Sequence, residues 1–108
     1  MYDQKDIVLI PFPYSDLTGA KKRPALIISN NRINSTEDRI CCLITSNQPE
    51  DGILLNDFES GKLSFKSWVK PHRLFTIHEK IIRKKMCTIS DEFHEKVIHS
   101  IHECVKRK

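Results

Sequence analysis

Arg23 is followed by Pro24 and by the apolar run Ala25-Leu26-Ile27-Ile28. A guanidinium at the mouth of a strand, with the backbone fixed by the proline, presents a planar fork of donors suited to phosphate oxygens. Composition alone favours an ordinary surface arginine there. Thr45 closes a second apolar run, Ile40-Cys41-Cys42-Leu43-Ile44. Its hydroxyl can donate to a phosphate oxygen beside Arg23 if the two strands are neighbours, or it can make a turn hydrogen bond. Ser46, one residue on, points to the other face of a continuing strand and is the weaker candidate. His72 follows Pro71 in a basic stretch and can titrate near neutrality, although a solvated loop imidazole is the plainer reading. Ser15, Thr18, Lys21 and Lys22 border the first loop, either as phosphate contacts or as a solvated rim. Trp68, the only tryptophan, can stack on a nucleobase, fill the core or sit in a subunit interface. Its alternation with Phe65 and Val69 does not decide between these.

The same inventory offers no metal site. Cys41 and Cys42 are adjacent, so on a strand they point to opposite faces, and no Cys-x-x-Cys pair occurs. His94, His99 and His102 fall on or beside the polar flank of a C-terminal helix. Unpaired cysteine usage of this kind fits a reducing cytoplasm. Apolar runs of about four residues, such as Ile7-Val8-Leu9-Ile10, are far short of the roughly 20 a membrane helix requires. We therefore expect no spanning segment and no secretory leader.

Short strands must position these residues. The stretch Ile7 to Phe12 is rich in β-branched residues and closed by two prolines, which fit a strand leaving a sheet. Tyr14 to Lys22 carries turn chemistry. Pro24–Ser29 and Arg39–Ser46 read as central strands, buried on both faces. Ile53-Leu54-Leu55 and the alternating Ser64–Val69 read as shorter strands, with Pro71 as a break. Leu74–Ile77 and Ile81–Ile89 continue the β character. Ser90 can cap a helix whose first turn holds Asp91 and Glu92. Its apolar stripe would be Phe93, Val97, Ile98, Ile101 and Val105. Five or more strands and one closing helix in 108 residues predict one domain over residues 1–108. That domain would be mainly β, a strongly bent sheet or partly open barrel, since no crossover helices are available for a parallel sheet.

Charge is divided unevenly. Residues 1–60 carry 6 basic and 9 acidic side chains, whereas residues 61–108 carry 12 and 5, a net of +7. The second half therefore suits a polyanion or an acidic protein segment, although a charge run is more often a solvated face.

The stretch from Asp6 to Ser29, with Lys22-Arg23-Pro24-Ala25-Leu26-Ile27-Ile28-Ser29 at its end, resembles the MazF/PemK (Kid-like) toxins of toxin–antitoxin modules. Ile40 to Gln48 looks like that family's third strand, and Ser67 to Leu74 followed by Lys85-Met86-Cys87 looks like its later strands. The resemblance spans about residues 6–105. It implies an SH3-like barrel of the PemK/MazF/CcdB type. It also implies a sequence-specific endoribonuclease acting on single-stranded RNA without metal or other cofactor. Such a toxin would work as a cytoplasmic homodimer held inactive by an antitoxin. By family position Arg23 and Thr45 would be catalytic, with Ser15, Thr18, Lys21, Lys22, Ser46 and His72 binding substrate. Lys5 and Cys87 depart from the family, standing where glycine is common. A Cβ is disfavoured wherever φ must be positive, so altered turn geometry is expected there, above all at Cys87.

Two other activities suit the same chain. A CcdB-like toxin would bind gyrase and cleave nothing, and a non-catalytic barrel would hold RNA through its basic half by counterion release. An enzyme needs Arg23 with Thr45, and a gyrase binder does not.

Overall fold

The computed structural model describes residues 2–12 and 21–108. Ser15 and Thr18 lie outside them, as does the side chain of Lys21. Among the described residues seven antiparallel strands form one sheet: β1 (Asp6–Phe12), β2 (Lys21–Ile27), β3 (Asp38–Thr45), β4 (Ile53–Leu54), β5 (Phe58–Ser60), β6 (Trp68–His78) and β7 (Lys84–Ile89). Their order across the sheet is β4-β6-β3-β2-β1-β7-β5. Every pairing is antiparallel, as expected of a chain without crossover helices. A short helix α1 (Asn31–Asn34), not expected from the sequence, joins β2 to β3, and α2 (Asp91–Val105) follows β7.

Two apolar clusters lie on opposite sides of the sheet. Ile7, Leu26, Cys42, Ile44, Val69 and Ile89 pack with Phe93 and Val97 of α2. Val8, Ile10, Ala25, Ile27, Cys41 and Ile77 pack on the other side with Ile82. Strand alternation makes this division, since consecutive side chains of β1, β2 and β3 go to different faces. Cys41 and Cys42 separate as expected. Burial pushes both thiols up to about 12, leaving them protonated and unreactive at neutral pH.

The start of α2 also follows expectation, with Ser90 Oγ accepting from Phe93 N–H at 3.1 Å. Its buried stripe does so only in part. Phe93, His94 and Val97 face the protein and Ile101 packs at its margin, whereas Val105 is 69% exposed and Ile98 is also exposed. His94, expected on the polar flank, is only 8% exposed, and its Nδ1 has no hydrogen-bond partner among the described residues.

Pro71 does not end a strand. Ser64–Ser67 lie outside any strand, and β6 instead runs from Trp68 through Pro71 to His78. The proline is tolerated because the β3–β6 register slips there: Cys42 pairs with Leu74, but Leu43 pairs with Lys70. Residues 71–73 therefore bulge out of the ladder, where a missing N–H costs no rung.

The two departures from the family pattern behave in the reverse of the expected order. Lys5 has φ 81°, and Cys87 is not among the positive-φ residues. Lys5 keeps the glycine-like conformation while its ammonium meets Asp91 at 2.6 Å and Glu59 at 2.8 Å, tying the turn to α2 and β5. Cys87 sits buried in β7, and its Cβ is accommodated by Gly61 opposite. A Cβ on Gly61 would stand 3.1 Å from that of Cys87, and Gly61 itself has φ +68°.

Candidate active site

Arg23 and Thr45 lie on neighbouring strands, β2 and β3, toward the same end of the sheet. Ile10 of β1 pairs with Arg23 of β2, and the β2–β3 ladder runs through Leu26↔Cys42 and Ala25↔Leu43. The ladder ends there, and Arg23 and Thr45 each lie two residues beyond its last pair, toward the same end of the sheet. Alternation puts Arg23 on the face of Ala25 and Ile27, and Thr45 on the face of Cys41, which is one and the same face. On the next strand Thr45 pairs with Trp68. The pairs Ile10↔Arg23 and Thr45↔Trp68 therefore form a row toward one end of the sheet, on the side away from α2.

Arg23 is half-buried and makes no ion pair or side-chain hydrogen bond among the described residues. A guanidinium held by a central strand with no partner among the described residues is a ready anion clamp. Thr45 Oγ1 accepts from Asn47 N–H at 3.2 Å, and its contact with the Asn47 carbonyl is 3.5 Å, the outer limit of a hydrogen bond. The turn role considered for Thr45 is thus present. It uses the oxygen as acceptor and orients the hydroxyl, while the proton can still reach a stronger acceptor.

Beside this row the same face carries a groove of about 700 Å³. Ile10, Leu43, Phe75 and Ile77 line it, with Arg73 and His78 among its polar residues. His78 is committed elsewhere: its Nδ1 accepts from Lys80 N–H and its Nε2 lies 3.0 Å from Glu37. Arg39, at 1% exposure, is also spent, on the carbonyls of Tyr2, Thr36 and Asp38 and on Glu79 Oε2 at 3.0 Å.

The remaining candidates scatter. Lys22 is exposed and pairs with Pro11, at the same end of the sheet as Arg23. The Lys21 backbone pairs with Phe12. Ser46 is exposed just beyond the end of β3. His72 is not brought to the row: it lies in the β6 bulge and lines a different depression with Ser100, Glu103 and Cys104 of α2. Sequence reasoning left Trp68 undecided, and no local signal could have placed it. Its position opposite Thr45 depends on a three-residue slip between β3 and β6.

The architecture is that of known toxin nucleases. An endoribonuclease solved with its cognate antitoxin from a mycobacterial species superposes with a TM-score of 0.73 at 16% identity, covering 95% of this chain and 93% of that one. A MazE–MazF structure from Deinococcus radiodurans gives 0.77 at 16% identity, covering 99% and 98%. The Mycobacterium tuberculosis toxin MazF-mt6 gives 0.69 at 17% identity, covering 91% and 93%. At such identities the likeness establishes the fold, a curled antiparallel sheet with a C-terminal helix. Comparison with curated protein sequences gave no match. The chain belongs to the family of PemK-like, MazF-like toxins of type II toxin–antitoxin systems, whose sequence profile matches residues 3–105.

Proposed function

We propose that this toxin is a sequence-specific endoribonuclease that cuts single-stranded RNA without a metal ion, residues 1–108 acting as one domain. The observation that carries the reading is that Arg23 and Thr45 lie on neighbouring strands and on one face, with Arg23 unpaired among the described residues. RNA supplies its own nucleophile. The 2′-oxygen attacks the adjacent phosphorus, its proton leaves, and the bond to the 5′-oxygen breaks as that oxygen takes up a proton. The products are a 2′,3′-cyclic phosphate and a 5′-hydroxyl. The protein must hold the phosphate in line and neutralise the charge that grows on its non-bridging oxygens. Arg23 does this as a permanent cation, since a guanidinium with a pKa above ~12 is no base at neutral pH. The Thr45 hydroxyl donates a second hydrogen bond to the same group. Lys21, Lys22, Ser15, Thr18 and Ser46 would guide the strand toward that row. His72 would contact RNA only where it passes the β6 bulge.

The partners follow from the family. The mycobacterial endoribonuclease was solved with its antitoxin, and the Deinococcus toxin with MazE. By the same logic a cognate antitoxin neutralises this chain, and two copies form the active unit. The four cysteines are all unpaired and no helix among the described residues is long and apolar enough to cross a membrane, which supports action in the cytoplasm. The test is incubation of the purified chain with a long single-stranded RNA in excess EDTA. Discrete cuts are expected, and RNA left intact would refute the proposal.

A further inference from the structure

We propose that Trp68 is a nucleobase-stacking residue that positions the RNA beside the cleaved phosphodiester, an inference that rests on the ribonuclease reading above. Three independent features of the structure point to it. First, Trp68 is the direct cross-strand partner of Thr45, and only β3 lies between its strand and that of Arg23, two strand spacings or roughly 10 Å. A base attached to a phosphate held at Arg23 and Thr45 is within reach of the indole. Second, Trp68 is half-buried yet belongs to neither apolar cluster of the described residues. An indole outside both clusters, on a strand whose Val69 and Ile77 are within them, has another use for its surface. Third, its surroundings are cationic. Lys66 Nζ lies 5.9 Å from the ring centroid, and Lys70 pairs with Leu43 one rung along the same face.

The cations decide between a base and a second subunit as the indole's neighbour. Lysine is depleted from the cores of protein interfaces, where its ammonium loses water. A polyanionic strand reverses that cost, because each phosphate replaces the lost hydration with a counter-charge. Stacking is indifferent to base identity, so Trp68 holds the nucleotide and leaves the choice of sequence to hydrogen bonds elsewhere.

Trp68 is the only tryptophan in the chain, so indole emission reports this side chain alone. The intact protein is titrated with a long single-stranded RNA bearing 2′-O-methyl at every nucleotide, which keeps the bases and lacks the nucleophile. Binding is followed in parallel by the anisotropy of a dye on the RNA. Quenching that tracks binding is expected, with no change on diluting the protein alone. Steady-state cleavage is then measured on a short RNA spanning a cut mapped with the wild type. Trp68→Ala is expected to raise KM about 5- to 150-fold while kcat stays within about threefold. Trp68→Phe, which keeps a stacking face, should recover most of that loss, whereas a purely structural role would move kcat and the melting temperature instead. Bound RNA with unchanged emission, or an unchanged KM in Trp68→Ala, overturns the proposal. So does emission that responds to protein dilution and not to RNA, which would place Trp68 between subunits. A wild type that leaves RNA intact refutes the ribonuclease reading itself, and the stacking role falls with it.

Discussion

Thr45 has two possible jobs, and their energies differ enough to separate them. Its observed job is local: Oγ1 accepts from Asn47 N–H at 3.2 Å at the end of β3. Its proposed job is to donate to the scissile phosphate. Thr45→Val removes the hydroxyl while keeping a β-branched side chain that suits the strand. Losing the turn bond costs about 1 kcal/mol, which for a domain of this size lowers Tm by about 4–8 °C. With a total stability of at least about 5 kcal/mol, more than about 99% of the variant stays folded at 25 °C. If the turn were the only role, the cleavage rate at 25 °C would therefore be nearly unchanged. Loss of a donor aimed at developing charge instead costs about 10²–10³ in kcat. Thr45→Ser, which keeps both bonds, should remain within a few-fold of wild type. The assay is single-turnover cleavage of a short RNA at 25 °C, beside thermal melts of the three proteins. A Thr45→Val protein with lowered Tm and wild-type kcat would refute the catalytic role of Thr45 and leave only its turn.

Two further outcomes concern stability. Burial lowers the pKa of His94 below its usual 6.5, partly offset by Glu95 and Asp91, while Lys5 adds to the lowering. The unfolded chain therefore binds a proton that the folded one resists. His94 leaves stability intact above about 6.5 and costs it progressively as pH falls from there toward its lower folded pKa. Tm should drop between pH 7 and 5, and His94→Leu should flatten that slope. The Asp91 carboxylate, held below its usual 3.8 by Lys5, titrates in a lower window and does not confuse the test. At Lys5, both Lys5→Gly and Lys5→Ala lose the ties to Glu59 and Asp91, so their difference isolates the backbone. At φ 81° the alanine variant should be less stable by about 1 kcal/mol in urea denaturation, and equal stabilities would mean the conformation relaxes.

Much of this arrangement was legible in advance for identifiable reasons. Runs such as Ile7–Ile10 and Ala25–Ile28 have strand length and composition. Ser90 with Asp91 and Glu92 marks a helix start whose cap forms as expected. Arg23 and Thr45 were legible as candidates because Arg23 opens one apolar run and Thr45 closes another. What was not legible depends on long-range register. Without the slip at Pro71, continuing from Cys42↔Leu74 would put residue 71 opposite Thr45; the observed register puts Trp68 there. A three-residue shift changes which face a side chain occupies, and nothing local in Lys70-Pro71-His72-Arg73 announces it. The position of His72 was illegible for the same reason, since the bulge carries it to the side of α2. His94 was placed on the polar flank because imidazole counts as polar in a helical pattern, yet the helix meets the sheet through positions 93, 94, 97 and 101. The strain at Lys5 was hidden because its compensation comes from Glu59 and Asp91, residues distant in the chain.

The most direct test of the central claim is to map the 3′ ends of RNA fragments made in excess EDTA by the wild type and by Arg23→Ala. If Arg23 clamps the phosphate during attack by the 2′-oxygen, the wild type leaves 2′,3′-cyclic phosphate at discrete sites, and Arg23→Ala, equally folded by thermal melt, makes those cuts at least about 100-fold more slowly. Cuts at the wild-type rate by Arg23→Ala, or wild-type fragments ending in a 3′-hydroxyl, would contradict the mechanism derived from this site.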